Sequence, residues 1–130
     1  MIHVLDTNIL SKAFSGRSLP ARQRLLAADP ALLAIPTIVI AEIHFGILKS
    51  DDPAQMRERW NRFLSPFPRL VFDEAAAIEH ARLRWALRHQ PIGERDLVIA
   101  AVATAHQATV VTNNRCEFDR VPDLRVEDWS

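Results

Sequence analysis

The chain has 130 residues, 48% of them hydrophobic, with 16 basic and 16 acidic side chains and no net charge at pH 7. That length suits one domain, 1–130, with a real core, and the charge balance provides no global basic field of the kind that announces nucleic acid. No apolar run is long enough to span a bilayer, and the single cysteine, Cys116, excludes an internal disulfide.

The start MIHVLD carries neither a basic n-region nor a cleavage site, so no secretory signal is expected and a cytoplasmic protein is favoured. Residues Ile2–Leu5 read as a strand that stops at Asp6-Thr7-Asn8. All three are good N-cap types, so a short helix should follow and end near Gly16. Leu19–Ala28 reads as a second helix, with Pro20 in its first turn and Pro30 beyond it. Leu32–Ile35 is a short strand. Pro36-Thr37 opens a helix through Ile38, Ala41, Phe45 and Leu48, ended by Ser50-Asp51-Asp52. Its residues are so apolar that most of its faces are expected to be covered. Pro53 begins a helix to about Leu64, and Pro66 and Pro68 then break the chain. Leu70–Phe72 is a strand. Asp73-Glu74 starts an amphipathic helix to about His89, with acids first and Arg84 and Arg88 near its end, as the helix dipole prefers. After the turn Pro91-Ile92-Gly93, Glu94 to about Gln107 is a helix whose middle, LVIAAVA, is apolar nearly all round and therefore buried. Thr109–Thr112 is a strand, NNRCEFD a polar loop, and Leu124–Val126 a last strand.

Strands alternating with helices imply a parallel sheet covered on both faces. The expected fold is α/β, a three-layer α/β/α domain with a short parallel sheet of about five strands. Ligand sites in such sheets lie beyond the carboxyl ends of the strands, where strand order reverses.

Several carboxylates stand out against that frame. Asp6 ends the first strand; an N-cap is its commonest fate. Glu42 is the only acid between Asp29 and Asp51 and sits in an apolar helix. It must face water, pair with an arginine or meet a cation, because burying it alone is expensive. Asp96 abuts LVIAAVA and either serves the helix dipole or faces the sheet edge. Rival chemistries for Asp6 fail on spacing. A haloacid-dehalogenase phosphatase needs a second Asp where Asn8 stands, an aspartic protease needs Asp-Thr-Gly, and a receiver domain needs a late Lys, but the last lysine is Lys49. Carboxylates that converge stay ionised together only around a cation. Oxygen donors without a Cys or His cluster point to Mg²⁺ or Mn²⁺ rather than zinc.

VLDTNIL, TIVIAEIHFGILKS, IGERDLVIAAVA and VVTNNRCEFDRVPDLRVEDW, in that order over nearly the whole chain, resemble the PIN-domain family and, more closely, its VapC-type toxins. The resemblance implies a Mg²⁺- or Mn²⁺-dependent endoribonuclease of a type II toxin–antitoxin pair. Water would attack phosphorus, leaving a 5′-phosphate and a 3′-hydroxyl. Carried over by position, Asp6 and Asp96 would be metal ligands, Glu42 a further catalytic acid, and Thr7, Asn8 and Thr112 supporting polar groups. Many PIN domains carry an Asp where this chain has Asn113-Asn114. Glu117 or Asp119 could supply the missing charge, and Glu117 is preferred because a helical turn would put it on one face with Asn114.

The resemblance also implies a homodimer, tRNA or ribosomal RNA as substrate, and a cognate antitoxin covering the active-site groove. Phe14, Trp60, Phe63 and Phe67 are candidate surface for that partner or simply core. Arg17, Arg22, Arg24, Arg57, Arg59 and Arg62 could meet RNA phosphates or face water. The rival functions are a PIN-like module that binds RNA or protein without cutting, and a metal-dependent nuclease acting on DNA.

Overall fold

Strand β1 (His3–Leu5) lies at the centre of a five-stranded sheet, paired in parallel with β2 (Leu33–Pro36) on one side and β4 (Thr109–Val111) on the other. The sheet continues outward to β3 (Arg69–Leu70) and β5 (Val126–Glu127), giving the all-parallel order β3-β2-β1-β4-β5. The computed structural model describes the whole chain, Met1–Ser130. Successive strand residues point to opposite faces, yet Val4 and Leu5, Leu33 to Ile35, and Val110 and Val111 are all buried. Both faces are therefore covered by helices, which is why these strands read as continuous apolar runs.

Seven helices connect the strands: α1 (Thr7–Ser15), α2 (Leu19–Ala27), α3 (Thr37–Leu48), α4 (Pro53–Leu64), α5 (Glu74–Ala86), α6 (Glu94–Ala105) and α7 (Arg115–Phe118). Helix α1 ends as expected at Gly16, which adopts the left-handed conformation at φ 77° that closes a helix most cheaply on glycine. Ser18, Asp52 and Asp73 cap α2, α4 and α5 by accepting backbone N–H bonds. In α6, Leu97 and Ile99 to Ala103 are buried, as the LVIAAVA pattern requires. Its alanines let α5 pack closely alongside.

Four expectations need correction. The polar segment after β4 is not all loop. Residues Arg115–Phe118 form one helical turn, anchored by fully buried Phe118, whose pull into the core outweighs the polarity of its neighbours. The third strand is shorter than the apolar run suggests and ends at Leu70, leaving Val71 and Phe72 exposed. The fifth strand pairs at Val126 and Glu127 rather than over Leu124–Val126. Helix α3 is not covered on most faces. Only Val39, Ile43 and Ile47 are buried, and a stripe through Ala41, Phe45 and Leu48 meets solvent.

Phe14, Trp60, Phe63 and Phe67 pack on one another. Phe14 stacks on Trp60 with ring centroids 3.8 Å apart, and Phe63 meets both edge-on. They tie α1 to α4, and Phe14 and Trp60 also line a groove shared with Thr7, Arg17, Glu42 and Met56. The six arginines singled out above are all exposed. Arg24 pairs with Glu127 and stacks over Trp129, and Arg62 pairs with Glu58 one helical turn away.

Candidate active site

The strand order reverses between β1 and β4, and the polar residues that follow those two strands face each other there. Leu5 pairs with Val111, so the register carries Asp6 to Thr112. Thr112 Oγ1 donates to Asp6 Oδ2 at 2.8 Å, and Asp6 N donates to the Val111 carbonyl at 3.1 Å. Asp6 Oδ1 accepts from Thr7 N at 2.6 Å. Asp6 is thus itself the N-cap of α1, one of the three candidates that the sequence offers for that role. It is only 5% exposed, and burial raises its proton affinity above the usual carboxylate range against the pull of its two hydrogen bonds.

Asp96 reaches the same region from the first turn of α6 and is 7% exposed. Burial pushes its carboxyl up to about 7, helped by the neighbouring carboxyls of Glu117 and Asp6. Asn114 Nδ2 donates to Asp96 Oδ2 at 3.4 Å, while the Asn114 backbone N–H donates to Thr112 Oγ1 at 2.9 Å. The Thr112 hydroxyl therefore links the two halves of the site: it gives its proton to Asp6 and receives one from the residue that holds Asp96.

Glu117 projects from α7 beside Asp96, within hydrogen-bonding reach once one of the two is protonated. Its own carboxyl is held low, first by Asp96 and also by the Gly93 backbone N–H. A Cβ added at Gly93 would lie 3.7 Å from Glu117 Oε2 and 3.9 Å from Asp96 Oδ2, which measures how closely the two acids converge on the α6 N-terminus. Asp119, the competing position, is exposed and paired with Arg115 at 3.4 Å.

Glu42 is half-buried on α3 and accepts from Arg95 Nη1 at 2.6 Å. Of the options open to it from sequence, it takes the arginine. Arg95 itself was missed. The signal was present, since a basic residue in the first turn of a helix opposes the dipole and calls for a compensating partner. Asn8 is exposed and makes no hydrogen bond with the cluster. The structure thus brings together Asp6, Asp96, Glu117, Thr112 and Asn114, sets Glu42 beside them through Arg95, and leaves out Asn8 and Asp119.

No three acidic, histidine or cysteine side chains are gathered tightly enough to enclose a cation on their own. Mg²⁺ does not need three, because it commonly takes one or two carboxylates and keeps several waters. Asp6 and Asp96 fit that demand: both are buried acids that form no salt bridge within the protein. Beside them Thr7 Oγ1 is a buried hydroxyl without a hydrogen-bond partner.

The PIN-domain family model matches residues 3–124. This chain belongs to the PIN-domain family. It is 37% identical to "Ribonuclease VapC2" of Rickettsia felis over 99% of this chain and 98% of that protein. It is 33% identical to "tRNA(fMet)-specific endonuclease VapC" of Shigella flexneri over 98% and 97% of the two chains. In structure it is similar to a chain of VapBC2 from Rickettsia felis, solved bound to a DNA fragment from their promoter, with a TM-score of 0.91, 36% identity and all of both chains covered. The α/β architecture expected from the sequence is the architecture of these PIN-domain relatives.

Proposed function

We propose that this PIN-domain protein is the toxin of a toxin–antitoxin pair and a metal-dependent endoribonuclease. The observation that carries the reading is the convergence of Asp6 and Asp96, two buried carboxylates from different elements, at the reversal of strand order in a chain similar throughout to VapC ribonucleases. RNA is the proposed substrate, with tRNA or ribosomal RNA as the class, supported by the tRNA specificity in the name of a relative. A cognate antitoxin is the proposed protein partner, supported by the VapBC complexes among the similar structures. The groove floored by Phe14 and Trp60 beside Glu42 suits a partner segment. The cytoplasm is the proposed compartment.

Asp6 and Asp96 would hold the Mg²⁺ or Mn²⁺. Bound there, the ion supplies Lewis acidity toward a phosphate oxygen and makes water a better nucleophile. The Thr112 hydroxyl and the Thr7 backbone N–H fix the orientation of the Asp6 carboxylate, and Asn114 Nδ2 does the same for Asp96. Glu117, half-buried beside Asp96, can accept the proton of the attacking water. The apolar stripe Ala41, Phe45 and Leu48, together with nearby Phe72, is the proposed homodimer surface, since a continuous exposed apolar patch signals a partner.

The test is cleavage of total cellular RNA by the purified, antitoxin-free chain in Mg²⁺, Mn²⁺ and EDTA, beside Asp96→Asn. Discrete fragments that require metal and disappear in the variant are expected. A folded chain that leaves all RNA intact would refute the reading.

A further inference from the structure

Arg95 donates to Glu42 Oε1 through Nη1 alone, at 2.6 Å. An arginine has five N–H donors in a planar fork, and no other hydrogen bond occupies this one. Its side chain is 49% exposed. It lines a cleft of about 480 Å³ with Gly93, Glu94, Asp96, Asn114 and Glu117. Glu42, its partner, lines the separate groove that contains Thr7 and Phe14. The Arg95–Glu42 pair therefore links two depressions, one lined by Asp96 and the other by Thr7, the chain neighbour of Asp6.

The electrostatics of that position are lopsided. Asp6, Glu42, Glu94, Asp96 and Glu117 are five acids around this position, and Glu94, Asp96 and Glu117 line the cleft itself. Arg95 is the arginine whose charge bears on Asp6 and Asp96 alike. A polyanion entering this cleft would meet repulsion from every carboxylate, so a fixed cation is worth most there. Glu42 holds the guanidinium upright by one nitrogen and leaves the rest of the fork free. A fork of that shape matches two oxygens of a phosphodiester.

We propose that Arg95 is a phosphate-binding residue of this active site, held ready by Glu42 to clamp an RNA backbone phosphate that crosses between the two depressions. This deepens the nuclease reading and rests on it. Glu42 then positions Arg95 in addition to the acid role that the resemblance implies for it.

The test is fluorescence anisotropy of a labelled mixed-sequence single-stranded RNA with the full, antitoxin-free chain in EDTA, where no cleavage occurs. KM and kcat are measured in parallel in Mg²⁺, and Mn²⁺ affinity by titration. Arg95→Gln is expected to weaken RNA binding by roughly 5- to 10-fold and to raise KM similarly. The slope of log affinity against log salt should fall by about 0.7, the share of one phosphate on a single strand. Arg95→Lys should retain the salt slope but not the full affinity. Glu42→Gln, which removes the ionic anchor of Arg95, should weaken RNA binding in EDTA by a smaller factor than Arg95→Gln, and RNA affinity equal to wild type in this variant would show that Glu42 does not position Arg95. Arg95→Gln with wild-type RNA affinity and salt slope, in a chain whose wild type binds and cleaves RNA, would overturn the assignment alone. The same holds if only Mn²⁺ affinity changes, since Arg95 would then merely neutralise Glu42. A wild type that neither binds nor cleaves RNA would overturn this inference together with the nuclease reading.

Discussion

Thr112 Oγ1 and Asp6 Oδ2 lie 2.8 Å apart, joining residues separated by 106 positions at the point where the sheet reverses its strand order. Neither residue reaches this contact through flexible chain. Each directly follows a strand of the central pair, and the parallel register fixes them opposite one another. The same hydroxyl accepts from Asn114 N, so one side chain connects both walls of the site.

Thr112→Val keeps the shape and β-branching of this residue but removes the hydroxyl. It leaves a buried Asp6 oxygen and a backbone N–H without their partner. A stability loss of about 1–3 kcal/mol is expected, read from urea unfolding midpoints. Cleavage should fall by about 10- to 100-fold, as when an outer-shell partner of a metal site is lost. Thr112→Ser should recover most of both. Equal activity in Thr112→Val and wild type would show that Asp6 needs no orienting hydroxyl.

Much of this was legible beforehand. The β1 and β4 strands, the buried α6 and the acids at their ends follow from apolar periodicity and turn chemistry, which are local. What escaped is set by tertiary contact. Residues Arg115–Phe118 look like loop because only Phe118 is apolar, and its burial depends on elements far away in sequence. Glu42 could be placed in a helix, but its partner Arg95 lies 53 positions on and no local rule joins them. The exposed stripe of α3 reads as core by composition alone. Apolar surface kept for a partner carries the same residues as apolar surface kept for the interior.

Phe118 decides whether Glu117 reaches Asp96. Phe118→Ala should cost about 3–5 kcal/mol by emptying a fully buried aromatic site. Phe118→Leu should cost under about 1.5 kcal/mol. Because α7 is a single turn, even the milder variant should loosen Glu117 and lower kcat more than it lowers the unfolding midpoint. If Phe118→Leu loses stability and keeps full kcat, the position of α7 does not matter to the chemistry.

Phe45 is 62% exposed and Leu48 is 65% exposed on one stripe of α3. Phe45→Glu should convert a homodimer to monomers in size-exclusion chromatography with light scattering, with its thermal midpoint within a few degrees of wild type. A wild-type chain that is monomeric at high micromolar concentration would refute a dimer through this stripe.

Asp6→Asn and Asp96→Asn test the carboxylates without disturbing shape, since asparagine is isosteric with aspartate and, at position 6, caps a helix about as well. Each should lower metal-dependent cleavage by on the order of 100-fold or more. The pH dependence separates the two residues from an ordinary surface acid. Asp96 titrates near 7 in the folded, metal-free protein against 3.8 for an unperturbed Asp. Between those values only the native chain holds the proton. The unfolded state therefore binds fewer protons, and stability falls as pH rises from about 4 to about 7. In EDTA the thermal midpoint should drop between pH 5 and pH 8. Asp96→Asn should remove most of that drop, and its gain at pH 8 should be on the order of 2 kcal/mol. Millimolar Mg²⁺ should restore the wild-type midpoint at pH 8 and do little at pH 5, because the cation competes with the proton for the same carboxylate. A wild-type midpoint that is flat from pH 5 to pH 8 and insensitive to Mg²⁺ would mean that Asp96 is an ordinary solvated acid, and the proposed metal site would fall with it.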